Sequence, residues 1–107
     1  MEAQEKQLQE MQFIEQNLQN ILMQKQAFQM EIAETESALL EIKDSKGDIY
    51  KIVGNLMIKT DKKKTQEDLE TKKKLFDTRL KSLDAQEQNF SEKLTLIRED
   101  LMRPPKK

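Results

Sequence analysis

From Ile49 to Thr60 the chain reads IYKIVGNLMIKT. Two runs of strand length, both rich in β-branched and apolar side chains, flank the dipeptide Gly54-Asn55. A two-residue, glycine-containing connection between such runs signals a β-hairpin, although Asn-Gly would signal it more strongly than this Gly-Asn order. An isolated two-stranded hairpin is marginal in water, and this one is strongly apolar. The remaining sequence offers no third strand, so the hairpin edges are expected to pair with those of other subunits in a shared sheet or barrel. The alternative is a hairpin folded back onto its own neighbours. The first reading makes Ile49, Tyr50, Ile52, Val53, Gly54, Asn55, Leu56, Met57 and Ile58 the candidate residues for subunit assembly.

On either side the periodicity changes from strand to helix. Before the insert, Met11, Ile14, Leu18, Ile21, Lys25, Phe28, Ile32, Thr35, Leu39 and Ile42 follow unbroken 3,4 spacing, and eight of the ten are apolar. After it, Leu69, Lys73, Phe76, Leu80, Leu83, Glu87, Phe90, Leu94, Ile97 and Leu101 do the same, again with eight apolar. A stripe about two positions in seven wide is a coiled-coil seam; a helix docked on a globular core shows a broader one. The fold class expected is therefore mainly α: a long antiparallel two-helix coiled-coil hairpin with a β-hairpin inserted between the helices. As one domain over 1–107, it should comprise a helix at about 3–44, the β-hairpin at about 48–60, a helix at about 65–102 and a polar tail at 103–107. Lys43 to Gly47 form the turn that ends the first helix, and Thr65, three residues before Asp68, has the form of a capping box opening the second. Helices of ~40 residues would each be ~60 Å long, leaving little interior apart from the seam.

Each layer of an antiparallel seam joins position a of one helix to position d of the other, and two registers satisfy that rule. One sets Phe28 against Leu80 and the other sets it against Glu87. In either, Lys25 and Glu87 lie one layer apart, so these two polar breaks can satisfy each other and help fix register without adding much stability. Charge is also divided between the arms. Residues 1–42 hold eight acidic side chains against Lys6 and Lys25, whereas 43–107 hold 17 Lys and Arg against 12 Asp and Glu. Opposite signs favour this pairing over parallel self-association of the first helix.

Composition closes other routes. With 36% charged residues, 5% aromatic, two glycines and two prolines, the chain has the bias of long helices, and its sustained heptads argue against disorder. It has no cysteine and no histidine, which removes disulfides, thiolate metal sites and the commonest general base. No apolar run approaches the ~18 residues of a membrane span, and the polar, glutamine-rich amino terminus does not resemble a signal peptide. A soluble cytoplasmic protein without membrane contact is expected. Gly47 and Gly54 cannot form a phosphate loop, so neither ATP nor any other cofactor is expected. No nucleophile or paired-carboxylate arrangement suggests an enzyme; acidic pairs such as Glu34 and Glu36 read as solvated helix faces.

The order of a glutamine-rich heptad helix, the hairpin IYKIVGNLMIK (Ile49 to Lys59), a helix containing TDKKKTQEDLETKKKLFDTRLKSLDAQEQNFSEKL and a short polar tail resembles the β-type subunit of prefoldin, in its archaeal form. The resemblance spans nearly the whole chain. Its most specific part is the YK-x-x-GN hairpin, Tyr50, Lys51, Gly54 and Asn55; one hairpin marks the β-type, two the α-type. The resemblance implies a hexamer of two α-type and four β-type subunits, whose hairpins build a double β-barrel from which six coiled coils hang. It also implies an ATP-independent holdase that captures nonnative proteins and passes them to a group II chaperonin. The ending Arg103-Pro104-Pro105-Lys106-Lys107 lacks the glycine-rich extension of some relatives.

In an antiparallel hairpin both termini lie at the free end, away from the barrel. Off-seam Leu8, Phe13, Leu96 and Met102, with end-of-seam Met11, Ile14, Ile97 and Leu101, are the candidate client-binding residues there, presenting a pliable apolar surface if the tips fray. Several arms making weak contacts would add through effective concentration. The competing reading of these residues is intramolecular packing. Two other function classes are weighed against the holdase. A nucleic-acid-binding arm draws on Lys59, Lys62, Lys63, Lys64, Lys72, Lys73 and Lys74, but Asp61, Glu67, Asp68 and Glu70 interleave and no aromatic stacking set accompanies them. A structural coiled-coil spacer explains the seams but not the hairpin.

Overall fold

The computed structural model describes residues 2–103. Helix α1 spans Glu2–Asp44, strand β1 Ile49–Val53, strand β2 Leu56–Thr60 and helix α2 Lys62–Met102. This is the expected mainly helical hairpin with two strands between its arms. Beyond Arg103 the polar tail lies outside the described residues.

Contacts divide the chain into two compact units, Met1–Gln26 with Lys81–Lys107, and Ala27–Leu80. In the terminal unit Ile14, Ile21, Leu83 and Leu94 are the buried apolar side chains, and all four are seam positions. The unit around the hairpin buries Thr35, whose hydroxyl donates to the carbonyl of Glu31 at 2.7 Å and so carries no unsatisfied polar group into the seam. None of the twenty seam residues is fully exposed.

Each unit selects the same register. In the hairpin unit the rings of Phe28 and Phe76 meet with centroids 5.7 Å apart. With Phe28 facing Leu80, Phe76 is the adjacent seam residue; with Phe28 facing Glu87 it would lie about 16 Å further along the helix. In the terminal unit Gln7 donates to the Asp100 carboxylate, which fits Gln7 facing Leu101. Salt bridges from Glu15 to Arg98 (3.3 Å) and from Glu36 to Lys73 (3.1 Å) join the acidic first arm to the basic second one. Both are exposed enough to contribute little stability, so their weight falls on specificity.

The second helix begins a turn earlier than Thr65. Asp61 is its N-cap: the backbone N–H of Lys64 donates to Asp61 Oδ2 at 3.1 Å, and that of Thr65 donates to the Asp61 carbonyl at 3.0 Å. Thr65 instead shares a hydrogen bond with Thr60 (3.1 Å) at the strand-to-helix junction. Lys62 donates from Nζ to the carbonyl of Ser45 at 2.7 Å, so the start of α2 satisfies a backbone acceptor just past the end of α1.

Candidate functional site

The hairpin is an antiparallel pair in which Ile49 faces Thr60, Tyr50 faces Lys59, Lys51 faces Ile58, Ile52 faces Met57 and Val53 faces Leu56. Gly54 has φ +62° and Asn55 does not enter positive φ. Positive φ at the first central residue alone fits a type II′ turn, whose preference for glycine in that position explains the Gly-Asn order. Facing partners share one side of the pleat, so Lys51, Val53, Leu56 and Ile58 occupy one face and Tyr50, Ile52, Met57 and Lys59 the other. A half-buried hairpin would show one face covered. Here Tyr50, Ile52, Val53, Leu56, Met57 and Ile58 are all exposed, with Ile52 at 73%. The fold-back alternative is therefore not what the chain adopts, and both faces and both edges are open. Asp48 and Lys59 form an exposed ion pair at 3.5 Å beside the half-buried base residues Ile49 and Thr60.

The eight terminal candidates separate by position on the helix. Leu8, Phe13, Leu96 and Met102 are exposed, at 52%, 63%, 65% and 84%. Ile14 is buried, and Met11, Ile97 and Leu101 are half-buried. In this conformation the four seam residues pack the coiled coil, and the off-seam four belong to its exposed apolar surface. Leu22 and Met23, also in the terminal unit, are exposed as well; they were not among the candidates because they lie farther along α1 than the chain end considered there.

Lys25 gives the terminal unit its polar node. Its ammonium lies 2.8 Å from Asp84 Oδ1 and 3.2 Å from Glu87 Oε1, and its side chain is 16% exposed. The pairing with Glu87 follows from the seams, but Asp84 is off the seam and only the register brings it to Lys25. Hydrogen bonding to Asp84, and next to Glu87, raises the Lys25 pKa above the ordinary lysine value, against a smaller opposing effect of burial. Among the described residues no cluster of three or more potential metal-ligating side chains occurs, and no helix is long and apolar enough to cross a membrane.

A long antiparallel coiled coil is shared by many unrelated proteins, so comparison with known sequences decides between them. The model of a family described as "Prefoldin subunit" matches residues 4–104. This chain belongs to the prefoldin family. The prefoldin subunit beta of Thermococcus onnurineus is 45% identical over 82 residues, which cover 75% of this chain and 71% of the relative. That of Pyrococcus furiosus is 38% identical over 96 residues, covering 85% of this chain and 82% of the relative. Among solved structures, the prefoldin beta subunit from Thermococcus strain KS-1 superposes with a TM-score of 0.85 at 33% identity, covering 96% of this chain and 95% of that one. The beta2 subunit from the same strain, at 23% identity and a TM-score of 0.72, shares the fold. The prefoldin resemblance is thus of the β type and of archaeal character, and a chaperone-type function goes with the family. Prefoldin chains are described as subunits, which agrees with a hairpin open on every side.

Proposed function

We propose that this chain is the β-type subunit of an ATP-independent holdase and acts as a single prefoldin-like domain. The hairpin residues Ile49 to Ile58 assemble it with α-type partners, two α-type and four β-type subunits making a hexamer. The terminal unit binds nonnative clients for delivery to a group II chaperonin, in the cytoplasm. The observation that carries this reading is the coexistence of two sets of exposed apolar side chains on one chain: the hairpin, and Leu8, Phe13, Leu96 and Met102. One is a strand pair with unsatisfied edges, suited to adding strands from other chains. The other is a set of side chains on helical backbone whose polar groups are already satisfied, suited to weak, sequence-tolerant contact with apolar segments. Binding requires no catalytic group, and the avidity of several arms supplies strength that one arm lacks.

The test is truncation. Removing residues 1–10 or 98–107 should weaken suppression of client aggregation, followed by light scattering, while mass measurement shows the assembly intact. Undiminished suppression by an intact truncated assembly would overturn the assignment of client binding to this unit.

A further inference from the structure

The exposed apolar residues of the terminal unit have a shared electrostatic setting. On a helix surface, residues three or four apart are neighbours. Glu5 is the neighbour of Leu8 in that sense, Glu10 of Phe13, Glu92 and Glu99 of Leu96, and Glu99 again of Met102. All four glutamates are exposed, and among the described residues no lysine or arginine lies within salt-bridge distance of any of them. At Leu96 there is a shallow open depression on α2, lined by Gln88, Ser91, Glu92, Thr95, Leu96 and Glu99.

Three cations of the same unit have partners of their own, two of them, Lys93 and Arg98, being helix neighbours of Leu96 and Met102 by the same spacing. Lys25 is held by Asp84 and Glu87, Arg98 by Glu15, and Lys93, one turn before Leu96, lies over the Phe90 ring at 5.9 Å. Across the whole unit, residues 1–26 and 81–107, nine carboxylates stand against eight cations, so its net charge is close to balance. What marks the exposed apolar side chains is therefore local: each has beside it a glutamate without a salt-bridge partner among the described residues.

Resting on the holdase reading, we propose that the terminal unit discriminates among nonnative segments and takes those whose apolar residues are flanked by lysine or arginine. The apolar core of such a segment covers Leu8, Phe13, Leu96 or Met102, while its ammonium or guanidinium groups meet the neighbouring glutamates. Long basic side chains also lay their apolar stems against the same patch. Segments flanked by Asp or Glu meet like charge at the same positions and are disfavoured.

The test uses the full-length chain in its native assembly and two labelled, unstructured peptides with one apolar core, flanked by lysines in one and by glutamates in the other. Binding is read by fluorescence anisotropy in low and high salt. The lysine-flanked peptide should bind roughly three- to tenfold more tightly at low salt, since a few exposed charge pairs each contribute modestly. That preference should collapse at about 0.5 M salt, where screening shortens the reach of exposed charges, and in the variant E5Q/E10Q/E92Q/E99Q, whose thermal midpoint serves as the folding control. Equal binding of both peptides by the wild-type assembly overturns the charge preference and leaves the holdase reading standing. Failure to bind either peptide, with no suppression of client aggregation, overturns both. A preference that survives in the glutamine variant shows that other residues select the client. If the patch is instead an interface with another copy of the chain, the variant will change the mass of the client-free assembly, and the proposal falls.

Discussion

Phe13 and Ile14 are consecutive residues of one helix with opposite surroundings, 63% and 2% exposed. Replacing each by alanine separates the stability of the coiled coil from its capacity to bind. Ile14→Ala deletes three buried carbons, worth roughly 0.8 kcal/mol each in transfer alone. Incomplete collapse of the resulting cavity brings the expected cost to about 2–5 kcal/mol. For a domain of this size each kcal/mol lowers the melting temperature by about 4–8 °C, so a fall above roughly 10 °C is expected. Phe13→Ala removes a side chain already mostly in water, and its effect should lie within about 0.5 kcal/mol, or some 4 °C. The assay is thermal unfolding by circular dichroism at one fixed protomer concentration, because assembly couples stability to concentration. It is paired with light scattering of an aggregating client. Phe13→Ala should lose suppression at unchanged melting temperature. Comparable melting of the two variants would refute the division of this helix into a packing stripe and a presenting face. Undiminished suppression by Phe13→Ala would remove that residue from the binding surface.

Other consequences can be checked in the same way. Lys25 has a folded-state pKa raised by Asp84 and Glu87, so its stabilising contribution is fully present below the ordinary lysine pKa and is lost as pH rises through the raised one. The melting-temperature difference between wild type and Lys25→Met should therefore change between about pH 9 and pH 12, moving in favour of the variant; a constant difference across that range would contradict the linkage. Asp61→Ala removes the N-cap of α2 and should cost about 1 kcal/mol, measurably more than Asp68→Ala, in thermal unfolding. The double variant Ile52→Lys/Met57→Lys alters one facing pair on an exposed face, so the helices should keep their far-ultraviolet signal while light-scattering mass falls to smaller species.

The seam was legible in the sequence because a 3,4 repeat has one geometric meaning, and every position it picked out avoids full exposure. Strand pairing and turn were equally local matters of residue type. Register was not, because a shift of seven leaves every a opposite a d; it is fixed by side-chain contacts such as Phe28 with Phe76. Once it is fixed, Asp84 becomes the nearer partner of Lys25, although its off-seam position gives no sequence signal of its own. The cap at Asp61 is masked in the sequence by the three lysines that follow it, an unfavourable charge for the positive end of a helix dipole, whereas Thr65 with Asp68 has the outward form of a capping box. Among the terminal candidates, spacing correctly put Ile14 on the seam, and burial then assigns it to packing.

The node at Lys25 restricts how proteins of this shape can change length. A heptad added to α1 between Lys25 and the hairpin would slide Lys25 along α2 by about 10 Å, away from Asp84 and opposite Phe90, where Glu87, one layer off, is the carboxylate left to it. Adding a heptad to both helices at matching positions restores the contact. The contact with Asp84 therefore survives only when residues inserted between Lys25 and the hairpin are matched by an equal insertion in the facing part of α2.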